Sequence, residues 1–262
     1  MERIGDNAVM IRPEKLPVAE IFYSCQGEGK YIGHPSMFVR LGGCPLRCDW
    51  GNGNTCDTKY ASYEIEQDLL SFMFAEEILQ KADKLGNPSH WVITGGEVID
   101  KGGLTSLLYE LRNRGKVVTL ESSGVNVHKT VLSYILSDML SDNILLSFSP
   151  KLMTSCPKEG NNRDIHLRSI HNRLLIEAVE KFDACDRTYK FVIADLKKDI
   201  TEILEFQKQY KISSDRIYLM PLGVSSQDIF EKAKTLIPIC KAYGFNYSDR
   251  QHIHIFGNKR GV

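Results

Sequence analysis

The sequence predicts an α/β protein with a mostly parallel sheet and helices outside it, arranged as a partial (β/α)6-type barrel. Short apolar runs rich in β-branched residues alternate with longer runs in which apolar residues recur at helical spacing. Six or seven such repeats follow one another along the chain, which predicts a single domain over residues 1–262.

The individual elements follow in chain order. Predicted strands cover residues 36–41, 90–96, 116–124, 143–151, 188–195, 216–223 and 251–257, and predicted helices cover 75–86, 104–115, 128–140, 197–211 and 227–244. The strand at 36–41, "SMFVRL", is predicted to be the first of the sheet. Residues 153–186 interrupt the pattern. Their polar start predicts a loop insertion, and "HNRLLIEAVEKF" at 171–182 favours a helix.

Composition and charge exclude several functional classes. The 33 basic residues balance the 33 acidic ones, so no overall field draws the chain to nucleic acid or to anionic lipid. The first twenty residues lack the apolar core of a signal peptide, and no apolar run approaches the length of a membrane span. We therefore expect a cytoplasmic protein with no nucleic-acid or membrane partner, in which a local site holds any charged ligand.

The cysteines are odd in number and unevenly spread, which is atypical of a secreted disulfide framework. Cys44, Cys48 and Cys56 lie within thirteen residues. Three thiolates on one loop can hold three irons of a cubane 4Fe–4S cluster and leave the fourth iron without a protein ligand. They also suit a structural zinc completed by Cys25 or a histidine, so the cysteines alone leave both possibilities open. The isolated Cys156, Cys185 and Cys240 are expected to be small core residues.

Unusual short motifs stand at the ends of the predicted strands. They are the three cysteines, "TGGE" (94–97), "ESSG" (121–124), "SPK" (149–151) and "MPLG" (220–223). Ligands collect at the carboxyl ends of parallel strands because loops and helix N-termini converge there. Five such ends around one mouth predict a pocket for a sizeable polar cofactor.

These motifs resemble the radical S-adenosylmethionine superfamily and, within it, the 7-carboxy-7-deazaguanine synthase family. The resemblance covers most of the chain, with "QGEG", "CDT", "GGE", "SPK" and the ending "DRQHIHIFGNKRGV" as its most informative parts. The chain departs from the family pattern in three places. Its cysteine spacing is C-x3-C-x7-C where C-x3-C-x2-C is usual, Val98 replaces a common proline, and "ESSG" replaces a frequent "ETNG". Because Gly and Asn favour tight turns, the extra "GNGNT" is expected to bulge outward and return Cys56 to the cluster.

The resemblance implies a lyase of 7-deazapurine (queuosine-type) biosynthesis that uses a 4Fe–4S cluster, S-adenosylmethionine and Mg²⁺. One electron from a donor such as flavodoxin would cleave S-adenosylmethionine. The resulting radical would take hydrogen from 6-carboxy-5,6,7,8-tetrahydropterin, whose ring contracts to 7-carboxy-7-deazaguanine with loss of ammonia. A homodimer is implied as well. The alternatives are a radical enzyme of the same superfamily with another substrate, or a zinc-stabilised binding module. Neutral charge and the lack of a basic, aromatic-rich patch disfavour an RNA-binding version of that module.

The site residues carried over from the family are expectations of the same kind. The cluster ligands would be Cys44, Cys48 and Cys56, and Thr58 would bind Mg²⁺. The residues that contact S-adenosylmethionine would be Gly95, Gly96, Glu97, Ser122, Ser149 and Lys151. The residues that contact the substrate would be Gln26, Glu28, Arg40, His252 and Val262. The N-terminal extension, residues 1–35, would thereby contribute to the substrate site. His252 and His254 alternate along the predicted last strand, so His252 would face the pocket and His254 the opposite side. The Val262 carboxylate is expected to reach the substrate pocket.

Overall fold

The computed structural model describes residues 13–137 and 143–262. Its strands are β1 (Leu16–Cys25), β2 (Pro35–Leu41), β3 (Ser71–Met73), β4 (His90–Gly95), β5 (Val117–Ser122), β6 (Ile144–Phe148), β7 (Asp186–Ile193), β8 (Ile217–Pro221) and β9 (Asn246–Tyr247). Its helices are α1 (Lys59–Ser62), α2 (Ala75–Asp83), α3 (Leu104–Asn113), α4 (Lys129–Ile135), α5 (Asn161–Ile170), α6 (Leu174–Phe182), α7 (Leu196–Tyr210), α8 (Ser226–Tyr243) and α9 (Gln251–Phe256).

The strands form one sheet in the order β3-β1-β2-β4-β5-β6-β7-β8-β9. The pairings from β2 through β9 are parallel, and β1 pairs antiparallel with both β2 and β3. The predicted mostly parallel α/β fold is therefore confirmed. The described part of the chain contains no helix that is long and apolar enough to cross a bilayer.

Loop contacts close the side of this partial barrel between β1 and the carboxyl-terminal strands. The Gly29 N–H donates to Ser248 Oγ at 2.9 Å, and the Gln251 N–H donates to the Gly27 carbonyl at 2.9 Å. The loop after β1 thus lies against the segment that leads into α9. As a result, residues near both ends of the chain border the same interior.

Alternation along the strands separates an apolar layer from a polar interior. On β7, the Tyr189 and Phe191 rings pack against Phe206 of α7 at centroid distances of 5.9 and 5.4 Å, whereas Lys190 between them lines the barrel cavity. Trp91 of β4 and Tyr134 of α4 are almost fully buried in the layer between sheet and helices. The hydrophobic core therefore lies outside the sheet, which leaves the inside free for polar side chains.

The prediction that residues 36–41 form the first strand is wrong, because β1 precedes that segment. β1 has no regular alternation of buried and exposed residues, since a register shift between Val18 and Glu20 interrupts its pairing with β2. Only Leu16 and Val18 of the strand are fully buried. A strand of this kind lacks the period-two signal that sequence reading depends on.

The prediction of a last strand at 251–257 is also wrong, because this segment forms helix α9. The alternating "HIHIF" imitates a strand, yet only Ile253 is buried, whereas Ile255 and Phe256 are 61% and 45% exposed. The last strand of the sheet is instead the two-residue β9.

The predicted insertion is more regular than expected. Its polar start forms helix α5, which Gly160 precedes with a φ of 80° and which buries His166, Ser169 and Ile170. Helix α6 lies within the predicted helix at 171–182. The predicted helix at 128–140 is confirmed over α4, and its last residues, 138–140, lie outside the described part of the chain.

Candidate active site

A cavity of about 760 Å³ opens at the carboxyl ends of the parallel strands. This volume falls in the usual range for small-molecule sites. The cavity is lined by the sequence-predicted residues Gln26, Glu28, Arg40, Cys44, Cys48, Cys56, Thr58, Gly95, Gly96, Ser122, Ser149, Lys151, His252 and Val262. Glu97 is the predicted site residue that stands behind the cavity wall.

The loop between the second and third cysteines folds into a small hairpin. Asp49 and Thr55 form an antiparallel bridge, and Gly51, Asn52 and Gly53 turn the chain with φ values of 78°, 54° and 80°. This left-handed region suits Gly and Asn better than other residues. The hairpin ends with the Cys56 N–H donating to the Cys48 carbonyl at 3.2 Å. The hairpin therefore brings the backbone of Cys56 back beside Cys48. The return of its thiol to a cluster shared with Cys44 and Cys48 stays a prediction.

The hairpin differs in one respect from the expected outward bulge. Gly53, Asn54 and Thr55 line the cavity, so part of the insertion borders the site. The inserted residues thus form part of the cavity wall as well as lengthening the loop.

Cys48 is buried, and Cys44 and Cys56 are partly buried. Burial raises the pKa of Cys44 and Cys56, and it raises the pKa of Cys48 to about 12 even though the charge of Lys151 opposes the shift. Binding a metal centre here requires the loss of thiol protons. Within the described ranges, no three His, Cys, Asp or Glu side chains are grouped so as to hold one metal ion. Three soft sulfur donors on one cavity wall match the ligand chemistry of an iron–sulfur cluster.

Gly95 and Gly96 present bare backbone to the cavity beside the cysteine loop. A Cβ on Gly95 would lie 2.1 Å from the Leu41 carbonyl oxygen, and one on Gly96 would lie 2.1 Å from that of Gly43. The Gly96 and Glu97 N–H groups donate to these same two carbonyls, both at 2.9 Å. Only glycine allows the end of β4 to lie this close to the end of β2.

The Glu97 side chain supports the cavity wall from behind. Its carboxylate is fully buried and accepts hydrogen bonds from Ser122 Oγ at 2.6 Å, from the Ser123 N–H at 3.0 Å and from the Val98 N–H at 3.0 Å. Burial raises the pKa of Glu97, although the serine hydrogen bonds lower it. Val98 supplies a backbone donor that proline would lack, so the departure at this position fits the local hydrogen bonding.

Polar groups continue around the thiol end of the cavity. Lys151 Nζ donates to Ser149 Oγ at 2.8 Å. Thr58 Oγ1 lies 3.3 Å from Cys56 Sγ and 3.4 Å from the Gly95 carbonyl oxygen. A cation, two hydroxyls and exposed backbone are therefore available beside the thiols.

An ionic network lines the other end of the cavity. Lys190 Nζ donates to Glu28 Oε2 at 2.5 Å, and Arg250 Nε donates to Glu28 Oε1 at 3.0 Å. Burial by itself would raise the pKa of Glu28, but the charges of Lys190, Arg250 and His252 outweigh it and lower that pKa. Glu28 is therefore held as a buried carboxylate.

Sequence reasoning missed several members of this network. Glu121 Oε1 accepts from Gln26 Nε2 at 3.1 Å, Glu121 Oε2 accepts from Thr94 Oγ1 at 2.7 Å, and Lys190 lies 3.8 Å from Glu121. Strand register could have indicated them, because Lys190 alternates with the buried Tyr189 and Phe191, and Glu121 follows the buried Leu120.

Arg40 and His252 complete the predicted substrate side. Arg40 Nε donates to Glu20 Oε2 at 2.6 Å, which orients a guanidinium that still has further donors. His252 Nε2 lies 3.9 Å from Glu28 Oε1, and a Cβ on Gly27 would lie 2.2 Å from the His252 ring. His254 lies outside the cavity lining and contacts Asp249 at 3.0 Å. His252 lines the cavity and His254 does not, although a helix and not the predicted strand separates them.

The last five residues, 258–262, also line the cavity. Arg260 anchors them by donating to both Glu66 oxygens at 3.0 Å, and its guanidinium lies 3.5 Å from the centre of the Tyr60 ring. Sequence position alone gave no sign of this anchor.

Comparison with known proteins finds relatives that share one enzyme name. No protein-family model matches the chain. A 7-carboxy-7-deazaguanine synthase of Rhodopirellula baltica is 35% identical over 248 residues, with 94% of this chain and 89% of the relative covered. A 7-carboxy-7-deazaguanine synthase of Pyrobaculum aerophilum is 32% identical over 255 residues, with 94% and 97% covered.

Two solved structures share the fold. QueE from Escherichia coli superposes with a TM-score of 0.62 at 22% identity, covering 91% of this chain and 95% of that one. SuiB from Streptococcus suis gives a TM-score of 0.51 at 14% identity, covering 82% of this chain and 48% of that one. These two likenesses support the partial barrel architecture.

Proposed function

The chain belongs to the 7-carboxy-7-deazaguanine synthase family, and from this premise we propose that it converts 6-carboxy-5,6,7,8-tetrahydropterin to 7-carboxy-7-deazaguanine with loss of ammonia. It is a radical S-adenosylmethionine lyase of 7-deazapurine biosynthesis. The observation that carries this assignment is the shared cavity. Three thiols and bare backbone form one end of it, and a network of carboxylates and cations forms the other.

The cofactor end is assigned to the thiols and the adjoining strand ends. Cys44, Cys48 and Cys56 would hold a 4Fe–4S cluster, which supplies with S-adenosylmethionine the one-electron chemistry of the reaction. Gly95 and Gly96 would leave room for the methionyl part, and Lys151 would meet its carboxylate as a point charge. Ser122 and Ser149 would bind the remaining polar groups.

Glu97 has a positioning role in this assignment. Its carboxylate accepts a hydrogen bond of 2.6 Å from the Ser122 hydroxyl and so orients that hydroxyl. The residue therefore serves the cofactor end through Ser122.

The substrate end is assigned to the ionic network. A pterin edge carries adjacent donors and acceptors, which carboxylates and an amide such as Glu28, Glu121 and Gln26 can bind together. Arg40 would pair with the substrate carboxylate as a planar, multiply donating cation. His252 and Val262 would cover the remaining sides of the ring.

Thr58 is proposed as the protein ligand of a Mg²⁺ ion that is otherwise held by water and substrate oxygens. Its hydroxyl lines the cavity close to Cys56 Sγ and to the Gly95 carbonyl oxygen. Thr58→Ser should keep the Mg²⁺ requirement of turnover, and Thr58→Ala should raise the Mg²⁺ concentration that turnover needs.

Further properties rest on family membership. We propose that the chain works as one domain, in the cytoplasm and as a homodimer, and that a reduced flavodoxin supplies its electron. The cluster that the cysteine loop would hold would receive this electron, and Gly53 and Asn54 of that loop line the cavity.

The test is anaerobic turnover. Protein reconstituted with iron and sulfide is given dithionite, S-adenosylmethionine, Mg²⁺ and 6-carboxy-5,6,7,8-tetrahydropterin, and 7-carboxy-7-deazaguanine is sought by mass spectrometry. We expect product from the wild type and from Cys25→Ala, and none from Cys56→Ala. Formation of 5'-deoxyadenosine without this product would contradict the substrate assignment. Loss of the metal centre in Cys25→Ala would point to a closed four-thiol site instead.

A further inference from the structure

Arg250 joins three separate segments around the cavity. Its Nε donates to Glu28 Oε1 at 3.0 Å, its Nη2 donates to Asp57 Oδ2 at 2.7 Å, and its Nη1 donates to the Gly223 carbonyl. These partners belong to the loop after β1, to the third-cysteine loop and to the loop after β8. A single planar cation therefore sets the spacing between the cysteine loop and the carboxylate of the substrate end.

Arg250 and its two carboxylate partners differ in how deeply they are buried. The Arg250 and Glu28 side chains are only 8% and 16% exposed, whereas Asp57 is 46% exposed. A buried guanidinium requires partners, and Glu28 already shares its other oxygen with Lys190. The exposed Asp57 is thus the partner that can be changed with the least disturbance to the protein interior.

Asp57 occupies a particular place in the sequence. It stands between Cys56 and Thr58, in a loop lengthened by the inserted hairpin. Within this loop, the Cys56 N–H donates to the Cys48 carbonyl. The outward contacts of the loop include the approach of Thr58 to the Gly95 carbonyl and the bond that Asp57 accepts from Arg250. The second of these fastens the loop to the substrate side of the cavity.

We propose that Arg250 is a positioning residue that fixes the Glu28 carboxylate for the substrate by fastening it to Asp57 of the third-cysteine loop. The inference rests on the proposed function, because Glu28 is taken to bind the pterin. Removing the Asp57 charge loosens one side of Arg250, so Glu28 is held less tightly and substrate binding weakens. The cofactor end keeps its three thiols and its glycines.

The test compares two similar ion pairs. Asp57→Asn breaks the charge pair with Arg250, and Asp83→Asn breaks the pair of Asp83 with Arg114, outside the cavity lining. The two carboxylates have nearly equal exposure, 46% for Asp57 and 47% for Asp83. With reconstituted enzyme, we expect Asp57→Asn to raise the KM for 6-carboxy-5,6,7,8-tetrahydropterin about fivefold. The KM for S-adenosylmethionine and the iron content should stay at wild-type values. Asp83→Asn should match the wild type throughout.

A second measurement does not depend on turnover. Calorimetric titration of 7-carboxy-7-deazaguanine into the reconstituted enzyme with Mg²⁺ should show about fivefold weaker binding in Asp57→Asn. Arg250→Lys keeps the charge but cannot span three partners, so it should weaken binding at least as much as Asp57→Asn.

The outcomes separate the inference from the function on which it rests. Wild-type enzyme that forms no 7-carboxy-7-deazaguanine contradicts the proposed function and, with it, the inference. Wild-type turnover together with unchanged KM and product affinity in Asp57→Asn overturns the inference alone. A loss of iron from Asp57→Asn that accounts for its whole defect also overturns it, because Asp57 would then serve the cluster loop and not Glu28.

Discussion

Glu97 is a buried carboxylate whose two oxygens face only donors. Changing it to glutamine replaces one acceptor with an NH₂ group that must face the Ser123 N–H or the Ser122 hydroxyl. We expect Glu97→Gln to lower the free energy of unfolding by about 1–3 kcal/mol, because buried donors lose their partner. Urea unfolding of the cluster-free protein measures this, with Glu76→Gln on an exposed site of α2 as the control. Equal midpoints for the two variants would contradict the argument.

His90 gives the fold a pH dependence of known sign. The ring is buried between Ser36 and Thr119, at 2.7 and 2.8 Å, and burial lowers its pKa to about 4. An unfolded histidine titrates near pH 6.5, so the unfolded state holds more protons between pH 6.5 and 4. Stability should therefore fall as the pH falls through this window, by up to about 3 kcal/mol from this group.

Urea unfolding at several pH values checks the His90 prediction. His90→Gln removes the titrating ring and should flatten the decline between pH 6.5 and 4, whereas His171→Gln on an exposed site after α5 should leave it as steep as in the wild type. An unchanged slope in His90→Gln would assign the pH dependence to other groups.

Single residues also show how far sequence reasoning reaches. The cysteines, Gly95, Gly96 and Lys151 were predictable because each stands in a short motif at a strand end. Glu121 and Arg250 stand in the quoted motifs "ESSG" and "DRQHIHIFGNKRGV" but were given no role, and Lys190 was not singled out. Their importance arises from contacts between distant segments, such as Arg250 with Glu28. Glu97 was predicted as part of a motif, but its place behind Ser122 depends on how the strands pack.

The hairpin between Cys48 and Cys56 is the element that distinguishes this chain from the usual family spacing. Gly51 and Gly53 have φ of 78° and 80°, and a Cβ on either would meet open space. Any penalty for a larger residue is therefore a backbone penalty, about 1–2 kcal/mol for each residue forced into the left-handed region. We expect the double change Gly51→Val and Gly53→Val to misplace Cys56 and lower the iron content after reconstitution.

Asn52→Gly is the matched control for the hairpin. Asn52 has a φ of 54°, which glycine adopts without cost, so this variant should bind as much iron as the wild type. Full iron content in the double valine variant would show that Cys56 reaches its place without the left-handed turn.

Elements of low regularity were the ones that the sequence left undetermined. Helix α7 and strand β4 follow their predicted ranges closely because their apolar periodicity is strong. Helix α9 was mistaken for a strand because its six residues are stabilised by their surroundings, including the Gln251 bond to Gly27, and not by a buried stripe of their own. Local pattern decides an element only where that element buries its own apolar face.

At the scale of the whole molecule, the cavity is completed by segments far apart in the chain. Arg260 contacts Glu66 and the Tyr60 ring, and Tyr60 in turn donates to Glu20, which also pairs with Arg40. The tail, residues 258–262, is thus connected through α1 and β1 to a proposed substrate residue on β2. The position of the tail and the orientation of Arg40 are therefore linked by one chain of contacts.

Arg260→Ala tests this arrangement. The variant loses both bonds to Glu66 and the stacking on Tyr60, so the tail covers the cavity for a smaller fraction of the time. Because the pair is exposed, the urea midpoint should stay near that of the wild type, whereas the KM for 6-carboxy-5,6,7,8-tetrahydropterin should rise severalfold. Arg114→Ala removes another exposed arginine that pairs with both oxygens of Asp83 away from the cavity, and it should change neither quantity. Equal KM values for the two variants would mean that the tail lines the cavity without contributing to substrate binding.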